Sequence, residues 1–261
     1  MENVFQAERK YTAIPNLDLF YMHTHDCYEI FGFLAGNAKY YVEGTVYQLR
    51  PGDILLIKKA EAHSLLINED TPYERIVVNF APDDLLENGS GHLEFLNKKP
   101  LGKNNQYPSS VFNQTNWLFY LNRIVDSTDL YEKRMYLTVL MCEMEKEYHR
   151  VTETEQANDV ISDVISFINA HLTEPLSLGV LCEKFYISKS QLNRRFRSIT
   201  GSTVWEYIVT KRLLFAKELL QNGIHPTDVY LQSGFRDYCS FYRGYKTKFG
   251  VSPKCDLKKE G

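Results

Sequence analysis

The chain has 261 residues, room for about two domains, and its 44% hydrophobic and 24% charged residues are ordinary for a globular protein. No apolar run reaches the roughly 18 residues of a membrane span, and the charged start MENVFQAERKY lacks the apolar stretch of a signal peptide. Five cysteines, at 27, 142, 182, 239 and 255, are odd in number and form no CxxC pair, which points away from a disulfide framework and toward a reducing cytoplasm.

The net charge of −3 hides a split. Residues 1–157 carry 15 Lys+Arg against 23 Asp+Glu, a balance of −8, and residues 158–261 carry 15 against 10, a balance of +5. An acidic front and a basic back predict that only the back meets a polyanion.

From residue 1 to about 105 the hydrophobic period is two. Tyr28 to Leu34, Lys39 to Val46, Ile54 to Ile57 and Arg75 to Phe80 read as strands. Turn residues separate them at Gly36-Asn37, Glu43-Gly44, Pro51-Gly52-Asp53 and Asn68-Glu69-Asp70. Short strands at such spacing predict a β-sandwich or barrel. Aromatic residues are frequent here (Tyr21, Tyr28, Phe31, Phe33, Tyr40, Tyr41, Tyr47), most of them expected in the core, though some rings can stack on a sugar.

His23-Thr-His25, then Glu29, Gly36, Pro51-Gly52 and His63 follow a spacing that resembles the cupin family. Strand alternation puts His23 and His25 on one face. Three readings stay open. By the resemblance, His23, His25, Glu29 and His63 hold one divalent metal ion. Alternatively the same four hydrogen-bond a polar effector such as a sugar, or they merely line the barrel. An effector cavity is the preferred reading, since barrels of this size can hold one small ligand. The Pro-Gly turn departs from the metalloenzyme pattern, in which one residue separates the two.

Residues 106–150 read as a helical linker or dimerisation region. Asn113 to Asp126 places Trp117, Leu118, Leu121, Ile124 and Val125 on one face. Glu132 to His149 places Met135, Val139, Cys142 and Met144 along one stripe. These helices either cover the barrel or pair with a second subunit. Val151 to Asn158 reads as a short linker.

From residue 158 on, the period is 3.6. Val160, Ile161, Val164, Ile165 and Ile168 form one stripe. Ser177 to Gly201 then reads as two short helices about a turn at Tyr186-Ile187. Ser188 and Gln191 form a capping box, and Leu192 and Phe196 make the buried face. Thr203 and Glu206 cap a linking helix that runs to about Gln221, with Tyr207, Ile208, Leu213, Leu214, Ala216 and Leu220 as its buried groups. A second copy follows: a helix at 227–233, a turn at Gly234-Phe235, the N-cap Asp237 and a helix from Tyr238 to Phe249. The linking helix, about 18 residues and so about 27 Å long, can hold two reading helices close to one DNA turn apart.

The segments LSLGVLC, ISKSQLNRRFRSITG, EYIVTKRLLFAKELL and SGFRDYCSFYRGYKTKFGVSP resemble the DNA-binding domain of the AraC/XylS family of bacterial transcription regulators. The cupin-like front is similar to the sensor domain common in that family. The resemblance implies an α+β two-domain fold. Its parts are an N-terminal cupin-like effector-sensing β-barrel (1–105), helices (106–150) and a C-terminal all-α domain (158–261) with two helix-turn-helix motifs. It implies base-edge contacts from Ser190, Asn193, Arg194 and Arg197 in the first motif. In the second they fall on Tyr238, Cys239, Ser240 and Arg243, with Lys246 on phosphate. The implied partners are a double-stranded DNA operator, a small-molecule effector and a second copy of the chain, with RNA polymerase a further candidate. No catalytic residue is expected, and the one cofactor candidate is a divalent metal in the cupin barrel; the competing class is a cupin metalloenzyme with an accessory helical domain. Tyr230 and Pro226 depart from the family pattern in the second motif, as Cys255-Asp256-Leu257 does near the end.

Overall fold

A computed structural model describes residues 5–14, 22–67, 71–112, 116–148 and 160–257. Tyr21, the Asn68-Glu69-Asp70 turn, His149 and the Val151–Asn158 linker lie outside them. The chain divides into two compact units, 1–157 and 158–261.

The first unit is built on two antiparallel sheets. Strands β1 (Gln6–Thr12), β2 (Tyr28–Ala35), β3 (Ala38–Val42), β4 (Thr45–Gln48), β5 (Ile54–Ile57), β6 (His63–Ile67), β7 (Tyr73–Phe80) and β8 (Gln106–Tyr107) occur in chain order. They pair as a five-stranded sheet β1-β7-β2-β5-β8 and a three-stranded sheet β4-β3-β6. Phe31, Phe33, Leu55 and Ile57 of the larger sheet pack against Tyr40, Val42, Tyr47 and Leu65 of the smaller one. Alternate residues of the larger sheet (Ile30, Ile54, Leu56, Ile76, Val78, Phe80) point the other way, into a second apolar layer. That sheet is therefore buried on both faces, which is why Ile54 to Ile57 reads as an unbroken apolar run.

The second layer is completed by helices. A short α1 (Glu94–Lys98) precedes α2 (Trp117–Asp126) and α3 (Leu130–Tyr148). Trp117, Leu121 and Ile124 of α2 join the outer layer, as expected. Helix α2 comes so close to β2 that a Cβ on Gly32 would stand 2.7 Å from Leu121 Cδ1. The stripe expected on α3 is corrected. Its buried residues are Leu137, Leu140, Met141 and Met144, whereas Val139 is 37% exposed and Met135 and Cys142 are half-buried. The helix is apolar on two sides, so period alone could not choose which side meets the sheet.

Lys39 to Val46 is likewise not one strand. Glu43 and Gly44, both at positive φ, make the two-residue turn of a β3–β4 hairpin in which Val42 pairs Thr45. The period-two pattern gives no sign of β1, β6 or β8, and β8 extends the sheet to Tyr107, into the region expected to be helical. QAERKYT has no apolar alternation and lies at the sheet edge against β7, where charged side chains are tolerated.

The second unit opens with α4 (Val160–Ala170), burying Ile161, Val164, Ile165 and Ile168. Helices α5 (Leu178–Lys184) and α6 (Lys189–Thr200) form the first helix-turn-helix. Tyr186 in the turn has φ 51° and Gly201 caps α6 at φ 70°. The Ser188–Gln191 box is present. Helix α7 (Val204–Gln221) carries the Thr203–Glu206 box, buries all six residues expected of it, and packs against α6, α8 (Pro226–Gln232) and α9 (Tyr238–Phe249). Helix α8 starts one residue earlier than expected, because Pro226 occupies its first turn and His225 supplies the cap. Phe241 and Tyr245 of α9 meet Leu213, Ala216, Leu220 and Val229 in one core. Tyr230, which departs from the pattern the resemblance implies, is half-buried with its ring 5.8 Å from that of Tyr238. Gly234 sits at φ 86°, and a Cβ there would lie 2.9 Å from Arg212 Nε and 3.0 Å from the Leu172 carbonyl. Only glycine serves both the turn and that close approach.

Candidate effector cavity and DNA-reading faces

In the first unit the strand register builds a cavity of about 340 Å3 between the sheets. Glu29 stands opposite Asn79 in the β2–β7 pairing, and Glu8 opposite Val77 in the β1–β7 pairing. Alternation along β7 then adds Arg75 and Val77 to the wall, while Tyr40 and Leu65 reach it from the smaller sheet.

The four residues singled out by spacing come together here. His23 and His63 form an isolated bridge through paired backbone hydrogen bonds of 3.0 Å. Their ring centroids are 4.3 Å apart, and those of His25 and His63 are 4.9 Å apart. The strand expected to align His23 with His25 is absent at His25; the bridge to β6 and the approach to Glu29 bring the two rings together instead.

Glu29, 5% exposed, accepts a hydrogen bond from Tyr40 OH at 2.9 Å and lies 3.0 Å from His25 Nε2 and 3.7 Å from His63 Nε2. Burial alone would push its carboxyl up, but the electrostatic attraction of the facing His63 ring and the hydrogen bond of His25 hold it well below the usual carboxylate range. Burial would likewise lower His25, and its contacts with Cys27 and Glu29 outweigh this and raise it to about 10. Burial, then the adjacent Glu29 charge, hold the Tyr40 hydroxyl well above its ordinary value.

The donor set also fits a divalent cation. Each of His23, His25, Glu29 and His63 offers a ligand atom within 4.8 Å of the others. The buried Nε2 of His63 has no hydrogen-bond partner, while its Nδ1 lies 2.8 Å from the Glu61 carbonyl, a contact that leaves Nε2 as the free ligand.

Sequence reasoning missed Glu8, Arg75 and Asn79. An arginine inside the apolar run RIVVNF was the available signal; its inward direction depends on strand pairing. Arg75 donates to Tyr73 OH at 2.6 Å and to Glu8 at 3.4 Å.

In the second unit, Leu192 and Phe196 are fully buried, and α6 turns Ser190, Arg194 and Arg197 to solvent with Asn193 half-buried. Asn193, Arg194, Arg197, Ser198 and Thr203 line one shallow depression. On α9, Cys239, Ser240, Arg243 and Lys246 are exposed. Tyr238, 38% exposed, is held by rings of Tyr230, Phe241 and Tyr242 at 5.8–6.1 Å. Each helix begins on a side-chain cap, Ser188 for α6 and Asp237 for α9, the latter accepting from Ser240 N at 2.7 Å.

Residues 6–113 match the family profile described as the AraC-like ligand binding domain, and residues 181–259 match a helix-turn-helix domain. The chain belongs to the AraC/XylS family of transcriptional regulators.

Among its relatives in that family is the uncharacterized HTH-type transcriptional regulator YbfI of Bacillus subtilis, 28% identical over 226 residues, covering 82% of this chain and 78% of the relative. The regulatory protein SoxS of Escherichia coli is 33% identical over 95 residues, covering 36% of this chain and 89% of its own. Among solved structures, ToxT from Vibrio cholerae covers 98% of both chains at 16% identity with a TM-score of 0.42. As an AraC-family regulator the protein combines a ligand-binding domain with a DNA-binding helix-turn-helix domain. Among the described residues no helix is long and apolar enough to cross a membrane.

Proposed function

We propose that this AraC-family regulator binds a small polar effector, a sugar or related metabolite, in the front cavity and thereby changes its grip on an operator. The carrying observation is the lining at Glu29, His23, His25, Tyr40 and Arg75: charged and hydrogen-bonding groups turned into an interior space. Phe31 and Tyr40, with ring centroids 4.7 Å apart, offer apolar surface for a sugar ring. DNA is read by Ser190, Asn193, Arg194 and Arg197 from α6 and by Tyr238, Cys239, Ser240, Arg243 and Lys246 from α9. Arginine pairs guanine and asparagine adenine. The effector acts by binding one of two states of the chain more tightly, so its effect is bounded by that difference. The test is a gel shift on DNA from upstream of its own gene, at fixed salt, against a panel of sugars. Affinity that no panel member changes, or that changes equally after Glu29→Gln, defeats the cavity assignment.

A second reading is a divalent cation at His23, His25, Glu29 and His63, favoured by the buried Nε2 of His63, which has no hydrogen-bond partner. The ion would be sensed, or would hold the effector. We infer no turnover in either case, and no RNA polymerase contact is needed for DNA binding itself. The protein acts where operators are, in the cytoplasm.

We also propose a homodimer through α2 and α3. Tyr131 (66% exposed) and Val139 (37%) form with Met135 and Cys142 the stripe of α3 that the sheet does not cover, and Phe119 of α2 is 48% exposed. A Val139→Asp chain that sediments as the wild type does would sink this.

A further inference from the structure

The second unit holds a cleft of about 490 Å3 lined from the α4–α5 connection (Thr173, Pro175, Leu176), from α7 and from the second helix-turn-helix motif. Trp205, Leu231 and Phe235 supply apolar surface, and Arg212, Arg236 and Arg243 supply positive charge. Trp205 is 57% exposed and Leu231 59% exposed. The packing of this unit thus leaves two large apolar side chains uncovered at one concave site.

The charge there is not balanced. Arg212 is 4% exposed, and its guanidinium donates to the Leu172 and Glu174 carbonyls at 2.8 and 2.7 Å, both neutral acceptors. Burial, and then the like charge of Arg236, pull Arg212 below its ordinary pKa. None of the three arginines forms an ion pair with a described carboxylate. Asp237 also lines the cleft; its carboxylate caps α9 by accepting from Ser240 N and is attracted to Arg243, so three arginines face one carboxylate. Arg236 and Arg243 are exposed, and the buried Arg212, whose charge is less screened, adds to the positive field that an anion beside them would meet. A DNA phosphate alone would answer the arginines and leave Trp205 and Leu231 bare.

We propose that this cleft binds a small organic anion, an aromatic or aliphatic acid. Its apolar body lies on Trp205, Leu231 and Phe235, and its acid group faces Arg236 and Arg243. Ser240 and Arg243 line the same cleft and belong to the second DNA-reading helix. Occupant and DNA therefore compete, and the site is a second, inhibitory input that does not depend on the front cavity. Cavities of this volume suit ligands of that size.

The probe is 2-naphthalenesulfonate, titrated calorimetrically into the full chain at fixed low salt, with neutral 2-naphthalenemethanol as control. Leu231→Asp and Arg236→Gln alter exposed positions and should fold. The expected result is one saturable site per chain, weakened about tenfold or more in each variant and for the neutral compound, a difference of about 1.4 kcal/mol. Saturating probe should also weaken binding of a short random-sequence duplex, read by fluorescence anisotropy. The proposal is overturned by absence of saturable binding up to about 1 mM, by variants that bind as the wild type does, by equal binding of the neutral compound, or by a duplex affinity the probe leaves unchanged.

Discussion

Nε2 of His25 lies 3.0 Å from Oε2 of Glu29, four residues along the chain and inside the front cavity. This contact joins two groups whose pKa values move in opposite directions, so it writes a pH signature into the front unit. The His25 value in the folded chain, about 10, lies above its ordinary 6.5. Its stabilisation is therefore complete below pH 6.5, shrinks above it, and is gone once pH passes about 10. The Glu29 value is depressed, so its share is present above the ordinary 4.5 and lost as pH falls through the lowered value. With chelator present, melting of the wild type between pH 6 and 10 should fall relative to Glu29→Gln. Parallel curves would remove the pair as a stabilising element.

The cation reading makes a separate prediction. Zinc or manganese at a hundredfold excess over Kd should stabilise the front unit by about 2.7 kcal/mol. His63→Gln, which removes a buried imidazole nitrogen that has no hydrogen-bond partner, should abolish the shift. Equal shifts in both proteins would place the ion elsewhere.

On the DNA side, Arg194→Ala and Arg243→Ala should each cost about 1–3 kcal/mol and relax the base preference at one position. Lys246→Ala should instead weaken binding evenly across sequences and lower the salt slope by about 1. Selection of binding sites from a random pool, repeated at two salt concentrations, separates the two outcomes.

Lys99 and Glu61 offer a test of the fold apart from function. Both side chains are fully buried, with Nζ and Oε1 2.9 Å apart, and Glu61 also accepts from Gly102 N and Asn105 Nδ2. Lys99→Met strands a buried carboxylate and should destabilise the first unit by about 3–5 kcal/mol. Changing both to apolar residues should recover part of that. Chemical denaturation followed through Trp117, in the core of this unit, reads both effects.

Much of the second unit was legible in the primary structure because its determinants are local. A capping box spans four residues, and a helical stripe repeats within one turn. Ser188–Gln191, Thr203–Glu206 and Asp237 therefore mark helix starts without reference to any distant partner. The four cavity residues His23, His25, Glu29 and His63 were also legible, through spacing. What tertiary structure alone decided is the company they keep. Glu8, Arg75 and Asn79 reach the same cavity only because β1, β7 and β2 pair in one register, and pairing between residues 50 apart leaves no mark on either segment. The same holds for α3. Its sequence is apolar on two sides, and only the sheet it lies on determines that Leu137 and Met141 are covered while Val139 is not.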